Sequence, residues 1–404
     1  ETLRRELDAG HVGSANSRLL RTVQFALDGS VEVEALTLGG ERYTVEAKAS
    51  STVLELKGSL EALTGIPPFL QLLSKDGREL PDAHPLAACG LSPLRPDVSL
   101  VRRAAHEQLF AVGGYDTWIS DFDGGNVLAS AAAFDPAEGS WAPLPATPIR
   151  RARCAAAAAA NRIYIVGGYI AARQATARAD AFLLDARAWR QLPDMSQHRA
   201  ACAAAVVEGT LVVMGGGDPA LNVTYASMEA LPPDAELWSF LPDMARGRSR
   251  HAAAARGSRV YVTGGWDASA QIPHLDLAEA FDVHTRSWLP LAPMLGPRRA
   301  HASAWLQDRL YVVGGHREPH QLAEVESFDP ESGLWSSVAP MLEARSNLGV
   351  GVLDGKLFVF GGHQFGQPKA SAEVFDPESE SWSPSPAMAS PRMGFAAGVS
   401  LACR

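Results

Sequence analysis

From about residue 103 onward, the chain repeats one pattern of apolar and polar positions six times. Apolar runs such as Val260-Tyr-Val262 and Leu310-Tyr-Val-Val313 lead into glycine doublets that begin at Gly113, Gly167, Gly215, Gly264, Gly314 and Gly361, spaced 54, 48, 49, 50 and 47 residues apart. Six of the nine tryptophans, Trp141, Trp189, Trp238, Trp288, Trp335 and Trp382, keep step at 48, 49, 50, 47 and 47. A third series is Arg151, Arg199, Arg248, Arg298, Arg345 and Arg392, of which the first five each stand sixteen residues before a doublet. Each unit reads as an arginine, a run of small residues, a β-branched and aromatic run closed by Gly-Gly, a variable loop, a third run such as 278–282, a turn and the tryptophan. This pattern predicts four short strands per unit. The small-residue runs at 155–160 and 252–255 favour helix by intrinsic propensity. The same slot elsewhere holds Gly349-Val-Gly-Val352, so register predicts strand in every unit.

No doublet follows Arg392, and 395–402 matches an innermost strand, whereas the first doublet has no such strand before it. The C-terminal strand is therefore predicted to complete the first unit and close a ring, removing open sheet edges. The doublets, the Glu-x-Phe-Asp-Pro runs at 326–330 and 373–377 and the spaced tryptophans resemble kelch repeats. The resemblance implies a mainly β fold, with a six-bladed β-propeller of four-stranded blades over residues 103–404. Unit two, with Leu184-Asp185, and unit three, with Pro232-Pro233, depart from the pattern only in turns.

Upstream, Val31-Glu-Val-Glu34, a Gly39-Gly40 turn and Arg42-Tyr-Thr-Val-Glu46 predict a hairpin. Thr52-Val-Leu-Glu55 is a capping box opening a helix whose Val53, Leu56, Leu60 and Leu63 share one face, and Gly65 ends it. Strands at 70–73, 78–80 and 98–101 complete an α+β pattern. Thr52-Val53, Leu56-Lys57, Gly65-Ile-Pro-Pro68, Gln71, Leu73, Gly77 and Leu80 resemble ubiquitin, which implies a ubiquitin-like β-grasp domain over 31–102. Where ubiquitin ends in a free diglycine this chain continues through Arg102-Arg103, so conjugation is not expected. The receptor-binding patch implied by the resemblance maps to Leu38, Ser74 and Val101, with serine in place of its central isoleucine. Residues 1–30 read as a leader with little pattern beyond a short helix at 3–7.

Composition changes the picture mainly by exclusion. With 36 Lys and Arg against 45 Asp and Glu, the 404-residue chain has a formal charge of −9, which opposes nucleic-acid or anionic-membrane binding by the whole surface. Four cysteines without CxxC spacing predict free thiols and a reducing, cytoplasmic setting. Twelve of the 36 glycines are the doublets, so the glycine excess belongs to the repeat.

In antiparallel blades the loop after the second strand and the entry to the next blade emerge on one face, which places the arginine series beside Tyr115, Trp118, Tyr169, Trp266, His316 and Phe365. Arginine with aromatic residues is the composition of an interface hot spot, and guanidinium groups suit carboxylate-rich peptides. The alternative for the arginines is structural: each anchors its own loop by pairing with the repeat's acid, Glu279, Glu326 or Glu373. Cys154, Cys202, His251 and His301 share one slot, which predicts packing rather than nucleophilic chemistry. His316, His320 and His363 lack a companion carboxylate or cysteine, and no metal site, cofactor or catalytic residue is expected. The reading is a non-enzymatic interaction scaffold or adaptor, its propeller binding a protein partner and its ubiquitin-like domain linking it to ubiquitin or proteasome machinery. The resemblance implies one alternative, an enzyme of the galactose oxidase, sialate epimerase or specifier-protein type. Neither the Tyr, Cys and His set of the first nor the four-spaced Glu, Asp and His of the last is found.

Overall fold

The computed structural model describes residues 105–403 apart from 118–124, 160–161, 173, 185, 220, 222 and 271–272. Upstream it describes 19–21, 23–25, 30–36, 42–48, 51–64, 71–75, 78–79, 85 and 98–102. Trp118, Leu38 and the helix expected at 3–7 lie outside the described residues. The chain divides into two compact units, residues 1–106 with 403–404, and residues 107–402.

In the N-terminal unit the expected hairpin forms between Ser30–Leu36 and Arg42–Lys48, with Val33 opposite Val45. Helix Val53–Thr64 opens on its capping box: the Thr52 amide donates to Glu55 Oε2 at 2.7 Å and the Glu55 amide to Thr52 Oγ1 at 3.2 Å. That exchange satisfies two otherwise orphaned donors. Val53, Leu56 and Leu60 are buried as one stripe. Val98–Arg102 pairs with Gln71–Lys75, which sets Ser74 opposite Ser99 and Val101 opposite Leu72. Two short strands precede the expected domain: Val23–Phe25 pairs with the hairpin and Leu19–Arg21 with Val98–Arg102.

The second unit is a ring of six four-stranded antiparallel blades. Blade five shows the plan, running outward from Ala302–Leu306 through Arg309–Val313 and Val325–Asp329 to Leu334–Val338. Blade one is built from both ends of the propeller, since Ala396–Cys403 lies innermost beside Ala105–Val112. The alanine runs are strands: Ala155–Ala159 pairs residue for residue with Arg162–Val166. Space near the axis explains why tertiary structure overrides helix propensity here, because a Cβ on Gly349 would come within 2.7 Å of Ala397, Phe360 and Phe395.

The doublet glycines are fixed by conformation and by close approach. At blade five Gly314 has φ +61° and Gly315 φ +104°, and an added Cβ would lie 2.7 Å from the Arg345 carbonyl of the next blade and 2.8 Å from the Arg299 carbonyl of its own. The periodic tryptophans latch neighbouring blades together. Each indole N–H donates to a carbonyl of the preceding blade's exit, from Trp382 to Ala339 at 2.8 Å and, across the closure, from Trp141 to Pro386 at 3.1 Å. Five stack on the strand-three phenylalanine of their own blade with centroids 5.1–5.6 Å apart, as in Phe328 with Trp335 and Phe134 with Trp141. Blade three has Leu231 in the phenylalanine slot, and Trp238 stands just before a fourth strand of only 3 residues.

Candidate functional site on the loop face

Each blade is entered through its repeat arginine. The next residue bridges to the first residue after the same blade's doublet, as Ser249 does to Trp266 and Arg299 to His316. Arginine neighbourhoods and post-doublet loops therefore share one face, as expected.

The arginines themselves are not a binding surface. Arg151, Arg199, Arg248, Arg298 and Arg345 are at most 1% exposed, and Arg392 is 4% exposed. Each sends Nη1 to backbone carbonyls of its blade, as Arg345 does to Gly361 and Ser371 at 3.0 and 2.9 Å. Five meet the acid on strand three: Arg151 with Asp180, Arg199 with Glu229 at 3.0 Å, Arg248 with Glu279 at 2.6 Å, Arg298 with Glu326, and Arg345 with Glu373. A partner cannot touch guanidinium groups enclosed in this way, so the partner-binding reading of the arginine series is corrected to the structural alternative, internal struts paired with the repeat's acid. Tyr115 is also buried, packed between Ala152 and Met393, and burial pushes its hydroxyl up to about 12.

Two residues beyond each arginine, Arg153, Ala201, Arg250, Ala300, Asn347 and Gly394 all have φ between +48° and +58°. Each amide donates to the carbonyl of its counterpart in the preceding blade, at 2.6 to 2.9 Å. The series runs Arg250 to Ala201, Ala300 to Arg250, Asn347 to Ala300 and Gly394 to Asn347, and it closes through Arg153 to Gly394 and Ala201 to Arg153. Six hydrogen bonds thus circle the axis.

Beside this ring a polar pocket of about 220 Å³ is lined by Arg250, Arg299, His316, Glu318, Asn347 and His363, among others. Arg299 Nη2 donates to Glu318 at 3.0 Å while its guanidinium lies 4.4 Å over the Trp266 ring. Trp266 meets His274 edge to face at 5.0 Å, and burial followed by the Arg299 charge holds the His274 pKa below its ordinary value. His363 Nε2 lies 2.9 Å from Ser346 Oγ and 3.1 Å from Asn347 Nδ2. Phe365, 74% exposed at φ +50°, caps the hairpin of strands His363–Gln364 and Gln367–Pro368, whose Gly366 also lines the pocket. A bulky side chain held in the left-handed region and offered to solvent is a costly arrangement.

Of the residues expected at the site, Trp266, His316 and Phe365 gather around this pocket, whereas Tyr169 sits half-buried in blade two, paired with Ala152. Arg250 and Arg299 were not expected. Their signal is a departure from the repeat: the other blades place only Ala, Ser or Met in the slot of Arg299, and the slot of Arg250 otherwise holds Ala, Asn, Gly or the buried Arg153. Cys154 and Cys202 are buried free thiols, pushed up to about 11 and about 12 by burial. Among the described residues no three His, Cys, Asp or Glu side chains converge as metal ligands, and no helix is long and apolar enough to cross a membrane.

Six blades tied by doublet and latch, five of them with a complete strut, define a kelch-type β-propeller. The chain is a kelch-repeat protein with a ubiquitin-family domain ahead of its propeller. Residues 250–402 match the KLHDC2/KLHL20/DRC7 Kelch-repeats domain, 150–196 and 198–245 match the Kelch motif, and 31–104 match the ubiquitin family. Among solved structures it is similar to one titled "Structure of YjhT", with 14% identity and a TM-score of 0.56 over 68% of this chain and 97% of that one, a likeness of fold alone. No curated protein matches it significantly.

Proposed function

We propose that this protein is a non-enzymatic adaptor of the cytoplasm, its propeller holding an acidic segment of a protein partner on the loop face and its ubiquitin-like domain connecting that partner to ubiquitin or proteasome machinery. The observation that carries the reading is Arg299, stacked on Trp266 at the edge of a polar pocket that Arg250 also lines. Half-buried Arg250, with the largely buried Arg299 that already donates to exposed Glu318, gives the pocket wall a positive, indole-backed character that suits a carboxylate-bearing side chain, and exposed Phe365 adds an apolar contact at the rim. Buried thiols raised far above neutrality supply no activated nucleophile, in keeping with a binding role.

Proximity labelling in cells compares the wild type with Arg250→Glu, Arg299→Glu, Trp266→Ala combined. Capture of propeller partners is expected to fall roughly thirtyfold, the effect of about 2 kcal/mol at a hot spot, with the variant still folded by circular dichroism. Undiminished capture by the folded variant would show that partners bind elsewhere. In the N-terminal domain Ser74→Ile is expected to strengthen binding to proteasomal ubiquitin receptors, and absence of binding in both forms removes the proposed link to degradation.

A further inference from the structure

The struts supply five internal standards for a sixth that is incomplete. In blades three to six one oxygen of the acid takes the arginine's charge and the other accepts the amide of a residue in the entering linker. Ser196 to Glu229, Leu295 to Glu326 and Leu342 to Glu373 are each 2.7 Å, and Ala245 to Glu279 is 3.4 Å. In blade two the linker residue is Pro148, which has no N–H to give. The acid there is the shorter Asp180, and its second oxygen is taken by Arg178 at 2.9 Å.

Blade one has the cation and the amide without the acid. Arg392 lies in the same bed, its Nη1 directed at the Gly113 and Ser130 carbonyls at 3.4 and 3.3 Å. The acid's register position is filled by Ala132, opposite Ala111, as Glu279 stands opposite Val262. Arg392 Nη2 is left with two long contacts, to Ser130 Oγ at 3.3 Å and Ser390 Oγ at 3.4 Å. The Ala389 amide, counterpart of Leu342 N–H, has no acceptor among the described residues. Ala132 is partly exposed, whereas the five acids are at most 5% exposed, so the slot is open to solvent. Burial lowers the Arg392 pKa with no anion opposing it, while at Arg248 and Arg298 the charges of Glu279 and Glu326 oppose the same effect. A buried cation without a counter-charge is costly.

We propose that this slot of blade one binds a carboxylate supplied from outside the blade, one oxygen on Arg392 Nη2 and the other on the Ala389 amide. The atoms that glutamate has beyond Cβ and alanine lacks are those of an acetate ion, which fixes the size of the group that fits. The source is a small free acid or an Asp or Glu side chain of a bound protein, and this site is separate from the Arg250 and Arg299 pocket.

Thermal unfolding of the full chain is followed while sodium acetate replaces sodium chloride at fixed ionic strength. The wild-type Tm is expected to rise saturably by about 2 °C, as a ligand of the folded state requires. Ala132→Glu is expected to melt above the wild type without acetate and to lose the response. Ala132→Asp, which copies the shorter acid of blade two, serves if the glutamate variant does not fold. Acetyl-Gly-Glu-Gly-amide, with the Gln peptide as control, separates the sources: a response to both probes admits a protein side chain, and a response to acetate alone indicates a free acid. A wild-type Tm indifferent to acetate and peptide overturns the proposal, as does an acetate response that survives in the filled variant.

Discussion

At four of the six joints between blades, the side chain three residues after the repeat arginine, Cys202, His251, His301 or Phe395, lies against the first doublet glycine of the blade before it. A Cβ on Gly264 would lie 2.7 Å from His301 Cε1, and one on Gly215 would lie 2.6 Å from His251 Cε1. His301 is buried with Nε2 2.9 Å from Thr263 Oγ1, and burial, reinforced by Arg298, lowers its pKa from 6.5 to about 3. The unfolded chain therefore binds more protons than the folded one between those values, and stability falls as pH drops through the window. The loss approaches about 1.4 kcal/mol per pH unit for one such group. His251 acts in the same direction. In urea unfolding between pH 7 and pH 5, His301→Leu, which installs the residue that Leu348 provides in blade six, is expected to flatten the decline. Parallel declines in the two proteins would absolve His301.

At the level of the element, what recurs is the arginine, the strand-three acid and the linker amide. Each strut ties a blade's entry segment to its third strand across the end of the second. Glu373→Ala leaves the enclosed Arg345 with only the half-exposed Glu343, at 3.1 Å, against its charge, and equilibrium denaturation is expected to show a loss of about 3 kcal/mol, the low end for a broken buried pair. Replacing both partners, Arg345→Met with Glu373→Leu, is expected to cost far less, and equal costs would mean that the pair is not acting as a buried charge. The same element shows what sequence can reveal. Doublets, tryptophans and arginines were legible because every blade makes the same steric and polar demand, so the residues return with the period of the blade. Whether a periodic arginine faces water or a carboxylate leaves no mark on the arginine; the mark is on Asp180, Glu229, Glu279, Glu326 and Glu373, which keep the same register. The pocket residues Arg250 and Arg299 escaped because a binding surface is built where a repeat stops repeating. Strands at 19–25 escaped for another reason, since three residues are too few to establish an alternation.

For the whole molecule, closure depends on the last strand. Ala396–Cys403 supplies the innermost layer of blade one, and the Trp141 latch reaches back to Pro386. Deleting residues 396–404 uncovers buried Leu109 and Phe110, whose neighbours include Val399 and Ala396. The truncated chain is expected to lose its cooperative calorimetric transition and to bind a hydrophobic dye. Retention of the full-length transition would mean that five complete blades are self-sufficient. The circle of amides around the axis carries a further consequence. Its six peptide dipoles run head to tail around the circle, so they cancel and leave the floor of the loop face without a polarity of its own. What a partner senses there is set by four side chains, Ala201, Arg250, Ala300 and Asn347, the buried Arg153 and the bare Gly394 adding little, and no two neighbours in that circle are the same. A nearly sixfold scaffold thereby acquires a single azimuth, and a segment laid across it has one angular setting that places its charge against blade four rather than against any of the other five.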